Sequence, residues 1–308
     1  MKTRPPPQDL MVIGFPDYRE PAQALAEALH SPYGEASLHR FPDGESILRL
    51  PSRLPSRVAL VRSLDWPNDK LLEMLLAVET ARQLGAEHVT LVAPYLCYMR
   101  QDIAFQAGEA VSQRIVGKYL AQLFDGLVTV DPHLHRIRKL DEAIPLGDSA
   151  RALTAAPLLG ALAADQLDQP ILLGPDEEAA QWVMAVAGDW GFDWGVCRKR
   201  RHGDRDVDIT LPEMDFDGRD VVLIDDVASS GETLARCAEV VFAAGAGQVC
   251  AMVTHALFAE GALQRVTGTG VSRVWSTDSI PHSSNSVALT HLLAAGVSQV
   301  LAEAEGGR

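Results

Sequence analysis

Two adjacent aspartates stand between an apolar run and a group of small hydroxyl residues. Residues 221–233 read Val-Val-Leu-Ile-Asp-Asp-Val-Ala-Ser-Ser-Gly-Glu-Thr. The apolar residues predict a buried strand, and a helix-like pattern follows at 233–244. Backbone N–H groups at a helix N-terminus bind phosphate, while Asp225 and Asp226 could bind sugar hydroxyls or a hydrated Mg²⁺. The segment therefore predicts a sugar-phosphate site, although a Ser/Thr-capped strand-to-helix turn contains similar small residues.

Two segments of the first half combine aromatic, acidic and basic side chains. Residues 40–45 read Arg-Phe-Pro-Asp-Gly-Glu and so combine an aromatic ring with two carboxylates. Pro-Asp-Gly is also a strong turn signal, and taken alone a β-turn is the simpler interpretation. Residues 94–102 read Pro-Tyr-Leu-Cys-Tyr-Met-Arg-Gln-Asp, in which Arg100 carries a planar guanidinium that suits phosphate oxygens or a base. An ordinary polar loop would explain the polarity of this segment but not the order of its residue types.

A histidine and a basic run complete the set of chemically useful side chains. His133 follows Asp131 at the end of the apolar run 127–130, where ligands of open parallel sheets bind. His135 lacks this support, and we expect it to be structural. Residues 198–207 read Arg-Lys-Arg-Arg-His-Gly-Asp-Arg-Asp-Val. Most charge runs are solvated loops, but a mobile basic loop can also close over phosphates and stabilise phosphoryl transfer.

Short apolar runs alternate with longer amphipathic segments along the chain. This alternation predicts an α/β fold with parallel β-sheets flanked by helices. In the helix predicted at 68–84, Leu71, Leu72, Leu75, Leu76 and Val78 are expected on one buried face. The other predicted helices lie at 179–187 and 233–244. The predicted strands lie at 10–14, 58–61, 89–93, 127–130, 171–173, 221–224 and 249–253.

The pattern has two halves, and Pro, Gly and mixed charge at 141–152 suggest a boundary there. We therefore predict one domain at 8–146 and a second at 147–302. Each half contains a strand that ends in acidic and polar residues, so each is expected to carry part of the chemistry.

Composition excludes several classes of function. The 308-residue chain has a formal net charge of −14, which argues against nucleic-acid binding. Its N-terminus has no apolar signal region, and no apolar run is long enough to span a membrane, so we expect a cytoplasmic protein. The four cysteines form no C-x-x-C motif and are expected to be reduced and buried.

Taken in chain order, these segments resemble those of the ribose-phosphate pyrophosphokinase family over roughly residues 10–255. Ser229 stands where many members carry Asp, and in this respect the chain is similar to archaeal members. The resemblance implies two tandem phosphoribosyltransferase-like domains. It also implies transfer of the pyrophosphoryl group of Mg-ATP to the 1-hydroxyl of ribose 5-phosphate, which yields phosphoribosyl pyrophosphate and AMP. ATP and ribose 5-phosphate are then the substrates, and a homo-oligomer with its ATP site near a subunit interface is expected.

The resemblance also implies a role for individual residues. Lys199 and Arg201 are the expected catalytic residues, and His133 and Asp176 the expected Mg²⁺ ligands. The residues expected to bind ATP are Phe41, Asp43, Gly44, Glu45, Arg100, Gln101, Asp102 and His133. The residues expected to bind ribose 5-phosphate are Arg201, Asp225, Asp226, Ser229, Ser230, Gly231, Glu232 and Thr233.

Two departures keep other functions open. Glu232 replaces a glycine of the family's phosphate loop, and a carboxylate there should repel a phosphate unless it faces a cation. Glu177 and Glu178 depart from the Gly-rich form that many members have after Asp176. A non-catalytic partner that regulates an active synthetase is therefore one alternative. A phosphoribosyltransferase is the other, although that class lacks the Phe-x-Asp-Gly-Glu and Arg-Gln-Asp segments.

Overall fold

A computed structural model of the protein describes residues 9–134, 136–137, 139–201 and 207–306. The chain divides into two units. The first unit comprises residues up to Leu153 together with those from Leu289 onwards, and the second runs from Thr154 to Ala288.

The first unit is built on a parallel sheet. Its strands are β1 (Leu10–Gly14), β2 (Tyr33–Glu35), β3 (Ser37–Arg40), β4 (Ser46–Arg49), β5 (Arg57–Val61), β6 (His88–Val92), β7 (Gly126–Val130) and β8 (Ala150–Leu153). Its helices up to this point are α1 (Arg19–Ala28), α2 (Pro67–Gln83) and α3 (Ser112–Leu123). The sheet order is β2-β1-β5-β6-β7-β8, and β3 and β4 form a separate antiparallel hairpin.

The second unit repeats this plan. Its strands are β9 (Ile171–Gly174), β10 (Trp194–Val196), β11 (Arg198–Arg201), β12 (Val207–Thr210), β13 (Asp220–Ala228), β14 (Gln248–Ala256), β15 (Arg273–Thr277) and β16 (Asn285–Val287). Its helices are α4 (Ala156–Gln166), α5 (Ala180–Ala187), α6 (Glu232–Ala243) and α7 (Ala262–Gly268). The parallel sheet has the order β10-β9-β13-β14-β15-β16, and β11 pairs antiparallel with β12.

The last helix, α8 (Thr290–Gly306), returns to the first unit. Short 3₁₀ turns lie at Pro16–Tyr18, Leu140–Glu142, Gly147–Ser149, Glu177–Ala179 and Gly188–Trp190.

The central strands are buried because helices cover both faces of each sheet, as parallel sheets require. In β7 every residue is buried. Ile13, Leu91 and Leu127 belong to the core of the first unit, and Leu223 and Val253 to that of the second. The predicted α/β class with two parallel sheets is confirmed, and the predicted central strands and helices differ from the observed bounds mainly at their ends.

The face predicted for α2 is partly wrong. Leu72 and Leu76 are exposed, whereas the buried residues of this helix include Glu73, Met74 and Val78. The leucines indicate a buried face along one line of the helix, but the helix buries Met74, its alanines, Val78 and one carboxylate instead of Leu72 and Leu76. Burial of Glu73 is therefore a feature that the pattern did not predict.

The two compact units differ in their bounds from the predicted domains at 8–146 and 147–302. β8 extends the first sheet by pairing with β7, so the first unit continues to Leu153. Helix α8 belongs to this unit because Val300 lies against Gly126 of β7 and Glu303 forms an ion pair with Arg151 of β8. β8 is short and half-exposed, and a chain that returns to an earlier unit leaves no local signal, which explains both differences.

Two expectations from composition are confirmed among the described residues. All four cysteines are free and buried. None of the helices that the structure describes combines the length and the apolar character that crossing a membrane would need.

Candidate active site

The paired aspartates of the second unit lie inside a strand. β13 does not end at residue 224 but continues to Ala228, so Asp225 pairs with Val253 of the neighbouring β14. Asp226 is 3% exposed, and its backbone N–H donates to Asp225 Oδ1 at 3.0 Å. Both carboxylates thus lie towards the carboxyl end of a central parallel strand, the end at which such sheets bind ligands.

A third carboxylate, Asp176, follows the adjacent strand β9. It caps the turn at Glu177–Ala179 by accepting a bond from the backbone N–H of Glu178 at 3.1 Å. Burial raises the pKa of Asp225 well above its usual range, and the charges of Asp226 and Asp176 raise it further. The three carboxylates therefore share one neighbourhood that favours a cation or hydroxyl donors.

The loop after β13 is shaped to present N–H groups. Ser229 O accepts the Ala259 N–H at 2.9 Å, and Ser230 O accepts Arg265 Nη1 at 2.6 Å. In a trans peptide the carbonyl and the next N–H point in opposite directions, so the N–H groups of Ser230 and Gly231 point away from these partners. They are thereby free to meet an anion at the N-terminus of α6.

Gly231 is required at the N-cap of α6 by its geometry. It has a φ of +70°, and a Cβ there would lie 2.8 Å from Ala262 O and 2.9 Å from Val266 Cγ2. Glu232 begins the helix and is exposed, and Thr233 is half-buried behind it. The structure thus gathers Ser229, Ser230, Gly231, Glu232 and Thr233 around one helix N-terminus.

The basic segment occupies strands β11 and β12. Lys199 pairs with Ile209 and Arg201 with Val207 in the antiparallel ladder. The side chains of Lys199 and Arg201, and all of residues 202–206, lie outside what the structure describes. Their expected catalytic role is therefore not tested by the geometry.

In the first unit, residues 41–45 form the turn of the β3–β4 hairpin. The Phe41 N–H donates to Glu45 O at 2.8 Å and the Gly44 N–H to Phe41 O at 3.0 Å, while Asp43 Oδ1 accepts the Glu45 N–H at 3.2 Å. All of these residues are exposed, and the ring of Phe41 packs edge-on against His39 at a centroid distance of 5.1 Å. The β-turn interpretation is correct, and the turn also presents an aromatic face and two carboxylates outward.

The segment 94–102 follows β6 and is held from α3. Gln113, which is buried, donates Nε2 to Met99 O at 2.9 Å, and its N–H to Gln101 O at 3.1 Å. Arg100 is exposed, whereas Gln101 donates its own amide to Ile103 O at 2.9 Å. No sequence signal pointed to Gln113, since a glutamine on a helix is usually solvated.

Asp102, which is expected to bind ATP, lies buried beside Arg136, and this position leaves the expectation untested. It is 5% exposed, and Oδ1 accepts Arg136 Nη1 at 2.6 Å. The structure therefore assigns it a contact within the unit, which fixes the segment that carries Arg100.

His133 lies just beyond β7, in the first unit. Two residues earlier, Asp131 has a φ of +37°, which a non-glycine residue adopts only under strain, and its N–H donates to Leu153 O at 2.8 Å. Strain of this kind is concentrated at functional sites. His135 is outside the described residues.

The two expected Mg²⁺ ligands belong to different units, since Asp176 lies in the second. Within the described ranges there is no cluster of three His, Cys, Asp or Glu side chains arranged for a metal ion. A magnesium ion that enters with a nucleotide does not need such a cluster, because Mg²⁺ keeps several waters and uses few protein ligands.

The chain is similar to known proteins over almost its whole length. Residues 10–123 match the N-terminal domain of ribose phosphate pyrophosphokinase, and residues 209–306 match the phosphoribosyl synthetase-associated domain. The ribose-phosphate pyrophosphokinase of Methanopyrus kandleri is 34% identical over 276 residues, which are 89% of this chain and 93% of that protein. The chain belongs to the ribose-phosphate pyrophosphokinase family.

A further relative agrees with this assignment, and a solved structure agrees with the fold. The ribose-phosphate pyrophosphokinase of Methanothermobacter thermautotrophicus is 31% identical, with 92% of this chain and 98% of that protein covered. A crystal structure of phosphoribosylpyrophosphate synthetase from Mycobacterium smegmatis superposes with a TM-score of 0.81, covering 97% of this chain and 100% of that one, at 21% identity. The expected family and fold are both confirmed.

Proposed function

We propose that the protein transfers the pyrophosphoryl group of Mg-ATP to the 1-hydroxyl of ribose 5-phosphate, which gives phosphoribosyl pyrophosphate and AMP. Membership of the ribose-phosphate pyrophosphokinase family supports this reaction. The observation that carries it is the loop after β13. At one helix N-terminus this loop brings together a glycine with a positive φ, two carbonyl groups that accept hydrogen bonds from elsewhere in the unit, and two carboxylates.

Ribose 5-phosphate is bound by this loop in the proposed mechanism. The N–H groups of Ser230 and Gly231 bind the 5-phosphate, and the hydroxyls of Ser229 and Thr233 add donors. Asp225 and Asp226 hold the ribose hydroxyls. Burial raises the pKa of Asp225, and repulsion by Asp226 and Asp176 raises it further; hydroxyl donors would stabilise the charged form against both effects.

ATP is bound by side chains of the first unit in the proposed mechanism. Phe41 stacks on the base, Asp43 and Glu45 accept from its amine, and Arg100 contacts the phosphates. These side chains are exposed and free to meet a nucleotide. Catalysis of this kind depends on positioning and on charge stabilisation.

Charge on the transferred group is neutralised by Lys199 and Arg201 in this proposal. The charge of Mg²⁺ would suit the neighbourhood of Asp176, where burial first and the charges of Asp226 and Asp176 second raise the pKa of Asp225. His133 of the first unit and Asp176 of the second are each proposed to contact Mg²⁺, which would supply further neutralisation of phosphate charge.

Self-association is also proposed, with the ATP site near the interface. Large apolar side chains of the first unit are exposed, among them Trp66 at 72%, Phe105 at 70%, Ile115 at 60% and Leu72 at 57%. Exposed apolar side chains of this size mark protein interaction sites when they form a patch. The four free cysteines agree with a reducing compartment such as the cytoplasm.

The reaction is tested by incubating the purified chain with Mg²⁺, ATP and ribose 5-phosphate and following products by phosphorus NMR. AMP and phosphoribosyl pyrophosphate should appear together, and Lys199→Ala should abolish both. Lys118→Ala, an exposed lysine of α3, is the matched control and should retain turnover.

A regulatory partner without activity is the second candidate, and Glu232 in the phosphate loop is the feature that favours it. ATP binding without turnover would support that role and contradict the enzyme. Glu232→Gly would then be expected to restore ribose 5-phosphate binding.

A further inference from the structure

The β3–β4 hairpin has two faces of different character. Cross-strand pairing places Leu38 opposite Leu48 and Arg40 opposite Ser46. Because side chains alternate along a strand, these two pairs share one face. Leu38 and Leu48 pack on the core of the first unit, so this face is the one turned inward. The second inward pair therefore stands directly beneath the exposed turn at 41–45.

Glu73 of α2 meets that second pair. Ser46 Oγ donates to Glu73 Oε1 at 3.2 Å, and Arg40 Nη2 lies 3.6 Å from the same oxygen. Glu73 is 4% exposed although it is a carboxylate. One buried side chain thus contacts both strands of the hairpin, at the residues that immediately flank the turn.

Glu73 is itself held firmly from the sheet. Arg62, at the end of β5 and 4% exposed, donates Nη1 to Glu73 Oε2 at 2.7 Å. Its Nε donates to both carboxylate oxygens of Asp17 at 3.0 and 3.1 Å, and its guanidinium lies 4.6 Å from the centre of the Phe15 ring. The carboxylate therefore has one oxygen committed to the core and the other to the hairpin.

We propose that Glu73 is a positioning residue for ATP. It fixes the turn at 41–45 by linking Arg40 and Ser46, which flank the turn, to Arg62. This inference rests on the proposed function, in which that turn contacts the base of ATP. Burying an ion pair costs desolvation, and apolar side chains of similar volume often stabilise a fold as well or better. The pair is retained here because it fixes orientation. A displacement of about 1 Å at a positioning group can lower a rate by about 10²-fold.

The test removes the contacts of Arg40 and Ser46 with Glu73 and leaves the buried Arg62–Glu73 pair intact. In the double variant Arg40→Met/Ser46→Ala, we expect the KM for ATP to rise by about 10-fold, with the KM for ribose 5-phosphate unchanged. Amide hydrogen exchange at 41–45 should become faster in the variant without any ligand. A structural role alone would not separate the two substrates.

The hairpin offers a matched control. Ser37→Ala/Arg49→Met makes the same chemical changes at the cross-strand pair on the outer face, where both side chains are exposed. Asp69→Asn removes the charge of the carboxylate that lies 2.7 Å from Arg40 Nη2, without touching Glu73. Neither control should change the KM for ATP, and an equal rise in either would overturn the inference.

Phe41→Ala distinguishes this inference from the proposed ATP contact itself. If Phe41→Ala raises the KM for ATP and the Arg40/Ser46 variant does not, the positioning role is overturned and the contact stands. If neither variant changes the KM for ATP while turnover persists, both the ATP contact and the inference that rests on it are overturned. A rise in both variants, with silent controls, supports the role of Glu73.

Discussion

Two carboxylates of the two units have different charged neighbours, cations around Asp17 in the first unit and other carboxylates around Asp225 in the second. In the first unit, burial alone would raise the pKa of Asp17, but the charges of Arg62 and Lys70 outweigh it and the pKa is lowered. Glu73 is paired with Arg62 in the same network. Asp17 and Glu73 are thus compensated by cations of the same unit.

In the second unit, the neighbours of Asp225 that shift its pKa are the carboxylates Asp226 and Asp176, and they add to the effect of burial. Such an arrangement lowers the stability of the fold and favours a ligand that supplies donors or a cation. We propose from this difference that the acids of the network around Arg62 serve the structure and that Asp225 serves a substrate.

The largest expected effect on the free energy of unfolding concerns Glu73, whose charge is compensated by Arg62. Glu73→Gln leaves the guanidinium of Arg62 buried with Asp17 as its remaining carboxylate partner among the described ion pairs. Breaking a buried pair costs about 3–5 kcal/mol, and we expect a loss near 3 kcal/mol because Asp17 still accepts from Arg62. Urea unfolding of the two proteins measures this loss.

Glu79→Gln on the same helix is the control, because Glu79 is exposed and should change the free energy of unfolding by less than about 0.5 kcal/mol. Equal stability of the Glu73 variant and the parent would show that the Arg62–Glu73 pair does not stabilise the fold. It would contradict the structural role inferred for the acids of the first unit.

The opposite result is expected for Asp225→Asn. The folded-state pKa of Asp225 is raised, so the charged form costs stability at neutral pH, and its removal should raise the free energy of unfolding in Mg²⁺-free buffer. Turnover should nevertheless fall by about 100-fold, because a proposed substrate contact is lost. Calorimetry and the phosphorus NMR assay together detect this divergence.

Asp220→Asn, at the start of the same strand, provides the control and should leave turnover unchanged. If the Asp225 variant is both less stable and less active, this carboxylate stabilises the fold, as Asp17 and Glu73 do in the first unit.

How far the sequence predicts this molecule depends on how local each signal is. The strand at 10–14 has the predicted bounds, because its apolar residues are contiguous. The sequence predicts that β13 ends at 224, because two acids follow the apolar run. The hydrogen-bonded pairing with β14 continues past these acids. The short strands β2 and β8 escaped prediction because they are half-exposed and have no apolar run.

The same limit applies to the candidate site. Asp225, Asp226 and Gly231 stand together in one motif and could be found from their order. Arg265 acts on the loop from 35 positions away, and a sequence alone does not show that contact. Glu73 resembles any solvent-facing glutamate of an amphipathic helix, so its burial had to come from the structure.

The two units also differ in how they hold their exposed segments, since the loop after β13 is fixed by backbone geometry and hydrogen bonds to its carbonyls, with no ion pair among the described residues. Gly231→Ala would add both a left-handed backbone cost of about 1 kcal/mol and a clash with Ala262 O. We expect a total loss near 2 kcal/mol in urea unfolding. A weaker affinity for ribose 5-phosphate should accompany this loss.

Gly261→Ala separates the two contributions. Gly261 has a φ of +76° but no atom within 4 Å of its ideal Cβ, so it carries the backbone cost alone. Equal losses in the two variants would show that the contact between the loop and α7 is loose.

The smallest expected effect concerns the pH dependence of the first unit. The pKa of Asp17 is lowered in the folded state from 3.8, so its ion pairs stabilise the fold above that value and are lost as the pH falls through the folded pKa. We expect Asp17→Asn to lower the free energy of unfolding by about 0.5–1 kcal/mol at pH 7. The gap between variant and parent should close below pH 3.8 and should narrow in high salt. A gap that stays constant from pH 7 to pH 3 would show that the carboxylate acts there through packing and not through its charge.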